Sequence, residues 1–339
     1  MGLINEKSVD IIFTMNNYNL THKTEKTICD VQNLSCDAIR FNLSKINELE
    51  AIDLIFDKYH ELKKRNLMFD FPIPQSKFRI FFCGKDVLKV KNKKVYSLRF
   101  IAHDGLTDFY CDANKSLISL KPGQSIICGD GEGMFTVVDV CDGIYWLEAN
   151  NNFMLINGKA LHLNALILSC KENALIKKYE QFLSKHKPYM AAFSFVDSVN
   201  QINLTKQLMN VSSTLFVSKI ETCESVRQLN DIIDHSDLVM IGRGDLGIYM
   251  NFSDLYFAQN KIIKQAKLRE KAVYVATDIL ESLCENVVIP NRADIIDITH
   301  LLVSNIDGLI LSAGIKNCEK VITLIRRIED KCSEKSSYD

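Results

Sequence analysis

Short apolar runs recur along the chain, each ending in a polar residue or a glycine, with amphipathic stretches between them. They are Val9–Thr14, Asp37–Asn42, Leu67–Asp70, Met190–Phe195, Leu215–Lys219, Leu238–Gly242, Ala272–Thr277 and Gly308–Ser312. Runs that are apolar throughout, rather than alternating, are the pattern of strands covered on both faces. The spacers Lys23–Gln32, Ile46–Arg65 and Asp254–Glu270 read as helices. Eight such strands with helical spacers predict an α/β fold, a closed parallel (β/α)₈ or TIM barrel. An open doubly wound sheet fits less well, because no GxGxxG turn follows the first strand.

One interval breaks the rhythm. Between Phe78 and Ser169 short β-like runs replace helices: Val95–Phe100, Gln124–Cys128, Phe135–Val138 and Ile144–Leu147. Turn residues such as Lys121-Pro122-Gly123 and Gly129-Asp130-Gly131 separate them. A small all-β domain, residues 78–169, is therefore expected as an insertion after the third strand, serving as a lid over the barrel. The barrel would occupy 1–77 and 170–331, and the polar tail 332–339 is expected to be disordered.

In a parallel barrel the chemistry sits at the carboxyl ends of the strands. Those ends read Arg40-Phe41-Asn42, Ser218-Lys219-Ile220-Glu221, Arg243-Gly244-Asp245 and Ala276-Thr277-Asp278. Lys219 and Glu221 are two apart and share one side of their strand. Glu221 and Asp245, from adjacent strands, are candidate ligands for a hard cation, Mg²⁺ or Mn²⁺. Gly244 would let the backbone approach an anion closely. A metal with Lys219 would place positive charge where an enolate oxygen develops. Arg40 suits a phosphoryl clamp, and Thr277 a proton relay through water. These three are the catalytic candidates.

Charge and cysteine content narrow the class. A formal net charge of −1 gives no global attraction to nucleic acid or to an anionic membrane. No apolar run approaches the ~20 residues of a membrane span, and the N-terminus has no apolar signal core. The eleven cysteines are scattered without a CxxC pair, which points to reduced thiols. A soluble, cytoplasmic protein is expected.

Several strand-end motifs resemble the pyruvate kinase family. Val217-Ser218-Lys219-Ile220-Glu221 is similar to I-S-K-I-E, Ile241–Gly247 to V-A-R-G-D-L-G, and Ala276–Ser282 to A-T-Q-M-L-E-S. Arg40–Ser44 resembles R-L-N-F-S, Ala192–Val196 A-A-S-F-V, Pro290–Asp294 P-T-R-A-E, and Cys128–Gly131 the D-D-G of the lid. The resemblance runs from about Val9 to Arg327. It implies that Arg40, Lys219 and Thr277 meet the phosphoryl group, the enolate and the proton. It implies metal ligands in Glu221 and Asp245, substrate contacts in Gly244, Arg243 and Ser194, and potassium or nucleotide contacts in Asn42, Ser44 and Asp70. Asp130 would be the lid residue.

The departures cluster on the nucleotide side. The family's D-T-K-G-P-E-I-R is here Asp70–Arg79, with Phe71 in place of the Thr of the potassium site, so K⁺ dependence is doubtful. The family's C-terminal domain has no counterpart in this chain. The resemblance implies a phosphotransferase acting on phosphoenolpyruvate or pyruvate, with ADP/ATP or an altered acceptor; a homodimer is the expected assembly. A metal-dependent 2-oxo acid lyase or decarboxylase on the same enolate site, or a non-catalytic binding protein, are the alternatives.

Overall fold

A computed structural model describes residues 8–15, 34–43, 49–72, 78–84, 86–100, 107–111, 120–129, 131–163, 173–209, 214–284, 289–315 and 317–336. Ser44, Asp130 and the expected helix Lys23–Gln32 lie outside them. The chain divides into two compact units, one of 1–72 with 177–339, the other of 73–176.

The first unit is built on eight parallel strands: β1 (Asp10–Met15), β2 (Ala38–Asn42), β3 (Leu67–Phe71), β4 (Met190–Phe193), β5 (Leu215–Ile220), β6 (Leu238–Gly242), β7 (Ala272–Ala276) and β8 (Gly308–Leu311). They close in chain order, β8 pairing with β1 through Asp10 to Gly308. Nearly every strand residue is buried, as the unbroken apolar runs require. Two cores result. Odd-parity side chains such as Phe13, Ile39, Phe41 and Phe69 pack against the outer helices. Side chains on the opposite face, such as Ile12, Ala38, Met68, Ala192 and, with the numbering parity reversed in β5, Val217, fill the barrel.

Among the described residues the helices around this barrel are α1 (Glu50–Lys58), α2 (Asn173–His186, whose first turn falls in the second unit), α3 (Val199–Met209), α4 (Cys223–Arg227), α5 (Leu229–His235), α6 (Arg243–Tyr249), α7 (Phe252–Leu268), α8 (Arg292–Val303) and α9 (Cys318–Ser336). The single helix expected over Ile46–Arg65 is instead α1 followed by a 3₁₀ turn, His60–Lys64. The disordered tail expected from 332 is also revised. α9 continues to Ser336, through a segment with no Gly or Pro to stop it and with a Lys331–Glu334 pair one turn apart. No helix among the described residues is long and apolar enough to cross a membrane.

Among the described residues from 78 to 163 the second unit is built of strands that close on themselves. Seven strands form a barrel: Phe78–Phe81, Val95–Arg99, Phe109–Cys111, Ser125–Cys128, Gly133–Cys141, Ile144–Ala149 and Lys159–Leu163. Val87–Val90 and Phe153–Ile156 pair beside it. Several of these strands escape pattern reading because they are only three to five residues long, too short to show alternation. Gly133 is glycine for packing: a Cβ there would lie 2.2 Å from the Phe153 ring.

Candidate active site

Strand alternation builds the first half of the site. Ile12, Ala38, Met68, Ala192 and Val217 form part of the apolar filling of the barrel. Two residues further along each segment, on the same parity, stand Thr14, Arg40, Asp70, Ser194 and Lys219. A polar layer therefore caps the apolar one at the carboxyl ends of the strands.

Its members are linked. Arg40 donates from Nε and Nη2 to Asp70 Oδ2 at 3.0 and 2.5 Å, and from Nη1 to Thr14 Oγ1 at 2.9 Å. Lys219 Nζ donates to Asp70 Oδ1 at 3.2 Å and to Ser194 Oγ at 2.9 Å, and lies 2.9 Å from Glu221 Oε1. Asp70, Lys219 and Glu221 are 1 %, 7 % and 1 % exposed. Charges this deep persist only when paired. Burial by itself raises the Asp70 carboxyl, but the Lys219 ammonium and the Arg40 guanidinium outweigh it and hold the carboxyl below its ordinary value. Burial likewise depresses Lys219, yet Asp70 and Glu221 override it and raise the ammonium, so it stays charged. Sequence reading gave Asp70 a potassium or nucleotide contact. In the structure it is the bridge between the two cations. Ser194, expected on the substrate, orients Lys219.

Glu221 links this layer to the next strand. Its Oε2 accepts the Phe195 amide at 2.9 Å, which holds Phe195 at φ +53°. Its other oxygen lies over Gly242, where a Cβ would come within 2.6 Å of it, so glycine ends β6 to make room for this carboxylate. Asp245 follows three residues later in the first turn of α6, half-buried, where its charge acts on Lys219 and both carboxylates act on Tyr249. Burial, then Asp245 and Glu221, push the Tyr249 hydroxyl up. No group of three or more His, Cys, Asp or Glu side chains suited to a metal occurs among the described residues. Two hard carboxylates on adjacent strand ends still fit Mg²⁺, which is commonly held by one or two carboxylates with water and substrate oxygens completing its shell.

The second half of the site is strained backbone. Thr277 sits just past β7 at φ +74°, followed by Asp278 at +56° and Leu280 at +52°. A β-branched residue in this region is an outlier, and each such residue costs about 1–3 kcal/mol. The Thr277 side chain is exposed, while Gly244 presses on its methyl: a Cβ at 244 would stand 2.9 Å from Thr277 Cγ2. Gly244, read as a site of close anion approach, is in this structure the contact that lets Thr277 fit.

Arg243, expected against substrate, turns its guanidinium to its own scaffold. Nε and Nη2 donate to the Thr277 carbonyl at 3.0 and 2.8 Å, Nη2 also to the Asp278 carbonyl at 2.9 Å, and Nη1 to both Asp297 oxygens at 2.8 Å. Asn42 ends β2 on the parity of Arg40, opposite Asp70 in register. The Phe71 ring lies in the helical layer, 1 % exposed, 4.9 Å from Tyr179 and stacked on Phe193 at 5.4 Å. A threonine there would point its hydroxyl away from the barrel mouth. Thr14 and Asp297 were missed by sequence reading. The parity of Thr14 with Ile12 was available as a signal, whereas nothing local marks Asp297.

The family described as pyruvate kinase, barrel domain, matches residues 7–319. The pyruvate kinase of Thermotoga maritima is 27% identical over 292 residues, 83% of this chain and 61% of that protein. That of Thermococcus litoralis is 28% identical over 290 residues, 82% of this chain and 59% of its own length. The cytosolic isozyme of Solanum tuberosum is 30% identical over 223 residues, 61% of this chain and 43% of that enzyme. The chain thus spans between 43% and 61% of these relatives. With a family match across most of its length and motif residues gathered at one end of the barrel, the chain belongs to the pyruvate kinase family.

Proposed function

We propose that the chain is a phosphotransferase of the pyruvate kinase type, acting on phosphoenolpyruvate and pyruvate through an enolate. One observation carries this reading. The Lys219 ammonium is held charged and buried between Asp70, Ser194 and Glu221 at the end of β5. A scaffold protein has no use for such a group, whereas an enolate oxygen needs preorganised positive charge.

The other residues take complementary roles. Asp70 and Thr14 fix the Arg40 guanidinium, which makes three bonds in all and still has N–H groups to direct at a phosphoryl group. Glu221 and Asp245 would hold Mg²⁺ or Mn²⁺, which supplies further positive charge beside the enolate oxygen when bound. The exposed Thr277 hydroxyl passes a proton, through water, to the methylene carbon. Asn42 stands at the mouth on the side where the acceptor, ADP or another phosphate, would approach.

Asp70 favours a second reading. Paired with both cations, it completes the enolate half of the site and is engaged away from a nucleotide or potassium role. A metal-dependent 2-oxo acid lyase or decarboxylase would need only that half. Pyruvate release from phosphoenolpyruvate with Mg²⁺, measured with and without ADP, separates the two. ADP-dependent release supports the kinase. Cleavage or decarboxylation of a 2-oxo acid without ADP selects the second reading, and absence of any turnover removes both.

A further inference from the structure

We propose that α8 is a strap that positions Thr277: Asp297, acting through Arg243, and Asp294, acting through Ser282, hold the loop after β7 in its strained form. Asp294 and Asp297 are three apart, so both project from one face of α8. Asp297 binds Arg243 Nη1 through both carboxylate oxygens, and the rest of that guanidinium holds the carbonyls of Thr277 and Asp278. Asp294 Oδ2 accepts Ser282 Oγ at 2.5 Å and Ser282 N at 3.2 Å. The loop is thus pinned at both ends, 277 and 282, from the same helix.

The pinned carbonyls belong to residues that would relax without it. Thr277 and Asp278 have positive φ, a conformation that L side chains leave when nothing opposes them. A planar guanidinium with fixed donors suits this task, since it sets direction as well as distance. Asp297 in turn sets the guanidinium, whose side chain is 9 % exposed. If Thr277 returned to negative φ, its Cα–Cβ bond would swing and carry the hydroxyl off its line to substrate. The proposal rests on Thr277 serving as the proton relay. Asp297 and Asp294 touch no reacting atom and are positioning residues.

The test compares Asp297→Ala, Asp297→Asn and Asp294→Asn with the unaltered protein. Two readouts are taken: steady-state pyruvate formation from phosphoenolpyruvate with Mg²⁺ and ADP, and amide hydrogen exchange across 277–282. Asp297→Ala should lower kcat by about 10²-fold, the scale of a small misplacement, with KM for phosphoenolpyruvate moved less than about threefold. Exchange should speed by about tenfold or more at 277–282 and stay unchanged in β5. Asp297→Asn, which keeps shape and one acceptor, should fall between, and Asp294→Asn should loosen the 282 end. Unchanged exchange in Asp297→Ala overturns the strap. Local loosening with unchanged kcat overturns its part in positioning, as does faster exchange throughout the barrel. If the unaltered protein makes no pyruvate, the proposed function falls, and exchange at 277–282 alone still decides whether the strap exists.

Discussion

Lys219 and Asp70 stand 149 residues apart in the chain, yet Lys219 Nζ donates to Asp70 Oδ1 at 3.2 Å inside the barrel mouth. The same carboxylate takes two bonds from Arg40, so one buried acid organises both cations of the site. Neither cation is placed by its own strand alone. Removing the acid would leave the Arg40 guanidinium without its carboxylate and Lys219 with Glu221 alone.

Asp70→Asn should therefore cost about 3–5 kcal/mol at neutral pH, the scale for breaking a buried pair. The cost should depend on pH. Lys219 and Arg40, against burial, hold the Asp70 carboxyl below its ordinary 3.8. The unfolded chain then takes up this proton more readily than the folded protein. The stabilisation is complete above about 3.8 and is lost as pH falls through the lower folded value. Urea titrations at several pH values would show the gap between parent and variant narrowing only in acid. A gap that stays constant down to the acid limit contradicts the charge argument.

Lys219→Met should lower kcat by about 10²–10³-fold, because the interaction strengthens as charge develops on the enolate oxygen. The structure adds a condition. Lys219 neutralises Asp70 and Glu221, so its removal also destabilises the fold, and activity must be normalised to folded protein by circular dichroism or calorimetry. A folded variant with kcat within a few-fold of the parent would defeat the enolate role.

Glu221 and Asp245 should bind one Mn²⁺ jointly. Isothermal titration, or the electron paramagnetic signal of free Mn²⁺, should show binding weakened by about tenfold or more in Asp245→Ala. The Glu221 carboxylate also holds the Phe195 amide and Lys219, so Asp245→Ala is the cleaner probe. Titrations that overlay those of the parent protein rule this pair out as ligands.

Phe71→Thr should not create or strengthen a potassium response, since this side chain faces the helical layer beside Tyr179 and Phe193. Loss of a buried ring should instead cost about 3–5 kcal/mol, the scale for truncating phenylalanine in a core. Activity in potassium against a large organic cation, with a thermal melt alongside, reads both. A new potassium activation would reverse the orientation argued for residue 71.

Much of this architecture was legible along the chain. Eight apolar runs specified eight buried strands because a parallel strand between helices has no wet face to alternate toward. Lys219 and Glu221 fell on one side by the two-residue period of a strand, and the motif residues fell at strand ends. The seven-stranded closure of the insertion was not legible, since strands of three to five residues carry too little pattern and pair across distant segments. Partnership was not legible either. Residue types say that Arg40, Asp70, Arg243 and Lys219 carry charge, but barrel closure and strand register decide whose charge each one meets. That is why Asp70 became the hub of two cations, Arg243 turned toward Asp297 and Phe71 faced outward. The sequence by itself determined which residues are buried and on which parity. Only the tertiary structure decided which buried polar groups satisfy one another, because burial in a low dielectric makes each demand a partner without naming it.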